Sequence, residues 1–108
     1  MDGPTLVSVA KTSDIPEGEA RRFTVNGRQI AVANLGDGEF RALGAICSHA
    51  HSFLDEGEVD PDLETIECPK HGSTFDLETG KPRSLPATMP VPAYRVKVED
   101  DEVKVEIE

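Results

Sequence analysis

All the cysteines and histidines of this sequence fall within residues 47–71: Cys47, His49, His51, Cys68 and His71. They form two clusters, Cys47-Ser48-His49 and Cys68-Pro69-Lys70-His71, with eighteen residues between His49 and Cys68. Each cluster offers one thiolate and one imidazole, so together they make a four-ligand metal site. A mononuclear zinc would accept two Cys and two His, but zinc modules usually place like ligands together in each short loop. Here each loop is mixed. Mixed loops suit a binuclear iron–sulfur site, in which one iron takes both thiolates and the other both imidazoles. The plainer alternative is that Cys47 and Cys68 are buried structural thiols. His51 lies two residues past a ligand position and is surplus to a set of four. It reads as a solvent-facing loop residue, with proton coupling or partner contact as its functional alternative.

The elements that must position these loops are strands. Short apolar segments recur between Gly, Pro, Asn and Asp clusters, the punctuation of an all-β domain. Residues 6–10 form a first strand. Residues 22–25 and 28–33 flank Asn26-Gly27, the strongest two-residue hairpin signal, which sets Val25 opposite Arg28 and Phe23 opposite Ile30. Gly36-Asp37-Gly38 turns the chain into residues 39–43. Near the end, Tyr94, Val96 and Val98 alternate with Arg95 and Lys97, and Val103, Val105 and Ile107 with Lys104 and Glu106. A turn at Asp100-Asp101 pairs Val98 with Val103, Val96 with Val105 and Tyr94 with Ile107. A one-residue slip would set each against a charge. Residues 44–92 differ: turn formers dominate, and Pro82, Pro86, Pro90 and Pro92 hold an extended path that excludes helix and central strand. No helix of three turns is expected.

Size and charge narrow the role. At 108 residues the chain is one domain, and so small a core benefits from a staple such as a disulfide or a metal. The balance of 11 Lys and Arg against 21 Asp and Glu gives a net charge of −10, without a basic run. Nucleic acid and anionic membranes are therefore unsuitable partners. No apolar run approaches a membrane span, and Met1-Asp2-Gly3-Pro4-Thr5 lacks the regions of a signal peptide. A cytoplasmic protein is expected, where thiols stay reduced and a disulfide is disfavoured. The charge is also uneven. Residues 55–67 hold seven carboxylates and no base, whereas residues 43–54 hold no charge. This is either a solubilising surface or a field that steers the chain toward a basic partner.

The motif C-x-H…C-x-x-H at Cys47, His49, Cys68 and His71, with Cys68-Pro69-Lys70-His71-Gly72-Ser73-Thr74-Phe75-Asp76 and then Thr79-Gly80, resembles the Rieske-type [2Fe–2S] ferredoxins. The likeness runs the whole length. It implies an all-β, antiparallel β-sandwich with a two-loop cluster-binding subdomain at about residues 44–92 and a proline loop. It also implies one [2Fe–2S] cluster on those four ligands. Around it would stand Lys70, Gly72, Ser73, Phe75 and Pro86, with His51 and Phe53 as possible partner contacts. Phe53 and Leu54 read first as packing beneath the first loop, and Lys70 as an exposed loop charge. Members from respiratory complexes carry an extra Cys in each loop, joined as a disulfide. Ser52 and Lys70 occupy those positions here. A Tyr that donates toward a cluster cysteine in those members is Phe75 here, while Ser73 is retained.

The resemblance implies a one-electron carrier, not an enzyme, passing electrons from a reductase to an acceptor such as a Rieske oxygenase, through transient contacts and as a monomer. A Rieske oxygenase also needs an iron held by two His and one carboxylate. With His49 and His71 assigned to the cluster, only His51 is left, so this chain can serve such an enzyme but cannot be its catalytic part. The small Rieske subunit of an assimilatory nitrite reductase and an accessory ferredoxin of cluster assembly are the alternatives. Two thiolates leave a [2Fe–2S] core formally neutral when oxidised, so an electron enters more readily than with four, and Rieske potentials span roughly −150 to +300 mV. Fewer donors toward sulfur, as at Phe75, lower the potential. A midpoint in the lower half of that range is expected by protein-film voltammetry; a value above about +200 mV would refute this account of Ser52, Lys70 and Phe75.

Overall fold

The computed structural model describes residues 5–47, 52–70, 72–85 and 89–107. Among the described residues, ten strands make three antiparallel sheets. The first has the order β1-β10-β9, from Thr5–Lys11, Glu102–Ile107 and Val96–Glu99. The second has the order β2-β3-β4-β8, from Ala20–Val25, Arg28–Gly36, Glu39–Gly44 and Ala93–Tyr94. The third, β5-β6-β7, is small: Val59–Asp60, Thr65–Glu67 and Thr74–Asp76. The only helical pieces among the described residues are two 3-10 turns, Thr12–Asp14 and Leu54–Glu56.

The centre of the middle sheet, β3 and β4, is buried on both faces, and β3 shows why the sequence permits it. Ile30 and Val32 point into one core with Val25, Phe40, Ala42, Val103, Val105 and Ile107. Ala33 and Leu35 point into a second core with Leu43, Cys47, Leu54, Ile66, Cys68, Phe75, Leu77 and Val91. Alternate residues of a strand face opposite sides, so a strand covered on both needs an unbroken apolar run. The run Ile30-Ala31-Val32-Ala33 supplies it. The first core joins this sheet to the terminal strands; the second joins it to the part carrying both cysteines.

The hairpin pairing follows the expectations at Asn26-Gly27, with Val25 opposite Arg28 and Phe23 opposite Ile30. Val98 pairs with Val103 and Val96 with Val105, as expected. The expected pair Tyr94 and Ile107 does not form. The chain changes sheets at Arg95: Tyr94 pairs with Ala42 on β4, and Ile107 pairs with Thr5 on β1. Only a backbone bond from Glu106 N to Arg95 O continues the hairpin. The second departure is the small sheet within residues 44–92, where turn formers had masked strands only two or three residues long.

Two consequences are testable. The three tight hairpins turn on Asn26-Gly27, Asp37-Gly38 and Asp100-Asp101, every one with positive φ at both positions. In the third, a side-chain residue at φ 65° stands where the others have Gly. A Cβ in left-handed backbone is costly and Asp tolerates it only in part. Asp101→Gly should therefore stabilise the protein by about 0.5–1 kcal/mol in urea unfolding, and a loss of stability would refute this. Asp76 closes the turn after β7. Its Oδ1 accepts from Glu78 N at 2.8 Å and Thr79 N at 3.0 Å, and its Oδ2 from Arg83 Nε at 3.1 Å and Nη2 at 2.9 Å. Partial burial works against the charged form, but these bonds outweigh it and hold the pKa below the ordinary 3.8. Stability from Asp76 is then full above the unfolded pKa and lost as pH falls through the lower folded value. The stability difference between wild type and Asp76→Asn should be constant from pH 7 to 5 and shrink below about pH 4; a constant difference down to pH 2 would count against the assignment.

Candidate metal centre

Both cysteines stand at the mouths of short loops closed the same way. Cys47 N donates to Ser52 O at 3.0 Å, and Cys68 N donates to Ser73 O at 2.6 Å. Each loop thus runs six residues from a cysteine to a serine. Below the first, Ile46 bridges Phe53, and Leu54 N donates to Ala45 O at 2.7 Å. Below the second stand β6 and β7, with Ile66 opposite Phe75 and Glu67 opposite Thr74. Within it, Gly72 has φ 76° and its N donates to Cys68 O at 2.9 Å.

The sulfurs lie in apolar surroundings. Cys47 is 3% exposed and Cys68 0%. Both share the second core with Leu54, Ile66, Phe75 and Leu77. Such a setting keeps bulk water away from the sulfurs. Ser52 links the two loops: while its carbonyl receives Cys47 N, its Oγ lies 3.1 Å from Cys68 Sγ. Ser73 and Phe75 are fully buried, Phe75 in the same core as the cysteines. Lys70 is exposed, as expected of a loop charge. His49, His51, His71 and Pro86 lie outside the described residues. Among the described residues no group of three or more His, Cys, Asp or Glu is gathered for a metal ion. The donor set within them is the pair of cysteines, and two sulfurs at the mouths of adjoining loops fit one half of a mixed-ligand iron–sulfur site.

The loops are fastened to the rest by contacts outside the motif. Gly57 lies where an added Cβ would overlap the carbonyl of Glu67, next to Cys68. Only a residue without a side chain lets the first arm pass so close. Arg22 on β2 lies over the Phe53 ring, its guanidinium carbon 3.6 Å from the centroid, a contact that contributes about 0.5–1 kcal/mol. Its Nη1 is 3.9 Å from Asp55 Oδ1. Burial pushes the Asp55 carboxyl above its ordinary range despite the opposing pull of Arg22. Phe53 is half-buried under this cation, and Leu54 is fully buried in the second core. Behind the site, Val91 N donates to Gly80 O at 2.9 Å and Gly44 N to Pro92 O at 2.8 Å, which anchors the end of the proline segment. Leu85 and Met89, flanking residues 86–88, are exposed at 78% and 64%.

Sequence reasoning passed over Arg22 and Asp55, and it treated Ser52 only as the place of a missing cysteine. For Ser52 a signal existed. The spacing Cys-x₄-Ser occurs in both loops, at Cys47 to Ser52 and Cys68 to Ser73. Nothing near Arg22 in the sequence marks its contact, which depends on how β2 lies against the turn at Leu54–Glu56.

Comparison with known proteins agrees with this geometry. The ferredoxin subunit of 3-phenylpropionate/cinnamic acid dioxygenase from Escherichia coli (strain K12) is 42% identical over 95 residues, 88% of this chain and 87% of that protein. The ferredoxin of carbazole 1,9a-dioxygenase from Nocardioides aromaticivorans IC177 superposes with a TM-score of 0.91 at 36% identity, covering 96% of this chain and 99% of that one. A complex of reduced oxygenase and oxidized ferredoxin in carbazole 1,9a-dioxygenase contains a chain similar at 38% identity and a TM-score of 0.84, covering 94% and 92%. The model of the Rieske [2Fe–2S] domain matches residues 5–95. With sequence, fold and paired sulfur loops in agreement, the chain belongs to the Rieske [2Fe–2S] domain family.

Proposed function

We propose that this chain is the electron-carrying ferredoxin of a ring-hydroxylating dioxygenase system, taking one electron at a time from a reductase and delivering it to a Rieske oxygenase. The observation that carries the reading is the likeness to a dioxygenase ferredoxin subunit over nearly the full length of both chains. It favours oxygenase supply over nitrite reduction or cluster assembly. Cys47 and Cys68 would hold one iron of a [2Fe–2S] cluster, and His49 and His71 would hold the other. The cluster, when bound, supplies a one-electron couple. The chain's own residues seat it, keep water from the sulfurs and set its exposure; none needs to form or break a bond with a substrate. Residues 1–108 act as one domain, with residues 44–92 as the cluster-binding part. It works as a soluble cytoplasmic monomer, and among the described residues no helix is long and apolar enough to cross a membrane.

Docking is brief in a carrier, and an interface below about 1,200 Å² suits it. The acidic residues 55–67 adjoin the first loop, so a basic partner surface would be steered toward the cluster end. Phe53 is half-buried beneath Arg22, so its place is chiefly one of packing, which leaves the loops themselves as the contact.

The test is a set of single substitutions read by iron and sulfide content and by EPR after dithionite reduction. Cys47→Ala, Cys68→Ala, His49→Ala and His71→Ala should each lose the cluster, whereas His51→Ala should keep it. Loss in His51→Ala together with retention in His49→Ala would overturn the ligand assignment. Stopped-flow mixing of the reduced wild type with a Rieske oxygenase should show oxidation of the carrier within a turnover. Transfer to a nitrite reductase instead would overturn the partner.

A further inference from the structure

We propose that Ser52 is a potential-setting residue whose hydroxyl bonds the sulfur of Cys68 across the two loops. This rests on the ligand assignment above. Ser52 is bonded to both cysteines: its carbonyl accepts from Cys47 N at 3.0 Å, and its Oγ lies 3.1 Å from Cys68 Sγ. It ends the first loop and reaches the first residue of the second, so the contact is between loops.

Direction follows from chemistry. A cysteine that ligates iron carries no proton, so in the loaded protein the Ser52 O–H must be the donor. A hydrogen bond to a charged acceptor is stronger than one to a neutral acceptor, and it strengthens with the charge on that acceptor. Reduction adds one electron to the site and neither forms nor breaks a bond. The added charge spreads in part onto the sulfurs, so the Ser52 bond stabilises the reduced state more than the oxidised one. Its loss shifts the equilibrium toward the oxidised form. The bond also has shelter: Cys68 is fully buried and Ser52 half-buried, so water cannot readily take the hydroxyl's place.

The experiment is redox titration of Ser52→Ala and Ser52→Thr beside wild type, with cluster content and EPR recorded on each. Ser52→Ala should shift the reduction equilibrium about tenfold toward the oxidised form, a midpoint lower by about 59 mV for a one-electron couple. Ser52→Thr, which keeps the hydroxyl, should stay near wild type. An unchanged midpoint in a fully loaded Ser52→Ala protein would overturn the proposal. So would an equal fall in both variants, because the effect would then come from packing. Should Ser52→Ala fail to assemble, wild type decides. On rapid dilution into D₂O, the Fe–S(Cys) resonance Raman bands should shift within seconds, because a hydroxyl exchanges far faster than buried backbone N–H groups. The absence of a prompt shift would overturn the proposal. A wild-type protein with no cluster signal at all would instead refute the ligand assignment on which this one stands.

Discussion

Two backbone hydrogen bonds, from Cys47 to Ser52 and from Cys68 to Ser73, govern the rest of this structure. Each pins a six-residue loop at its base, and each puts a cysteine at the point where the loop meets the core. A loop alone would place its ligands loosely. Closed in this way and seated on Leu54, Ile66 and Phe75, the first residue of each loop shares the rigidity of the sheet beneath it. β3 and β4, at the centre of the middle sheet, must therefore be buried on both faces, one to join the terminal strands and one to carry the loops. That demand explains the apolar run in β3 and the alanines that let the second layer approach.

The fastening of the loops is distributed. Arg22 reaches from β2 to hold Phe53 and Asp55, Gly57 lets the first arm pass against Glu67, and Gly44 and Gly80 receive the returning proline segment. Each contact is small by itself. Together they connect the cluster-bearing part to β2 and β4 of the middle sheet. Burial of Asp55 is tolerated because Arg22 faces it. Electron transfer benefits from this arrangement, because a site that moves little on gaining an electron has little to reorganise.

The electrostatic character of the chain has the same division. Carboxylates crowd the arm between the loops and the final hairpin, while the first loop and its approach have none. In the proposed role, such a field would steer a basic partner surface toward the carrier. The ion pair of Arg83 with Asp76 lies beside the turn after β7.

The ligand types and the hairpins of the outer strands could be read directly from the residues. Mixed Cys and His loops have few chemical uses, and Asn26-Gly27 or a strict alternation of valines allows one register. Three features needed the folded chain. Tyr94 leaves the terminal hairpin because β4 offers it an edge, a choice made by packing between distant segments. Strands β5, β6 and β7 are too short for any periodicity to reveal, and they exist because the loops between them are pinned. The meeting of Ser52 with Cys68 joins residues sixteen apart in the chain, and only the approach of one loop to the other brings the hydroxyl to the sulfur.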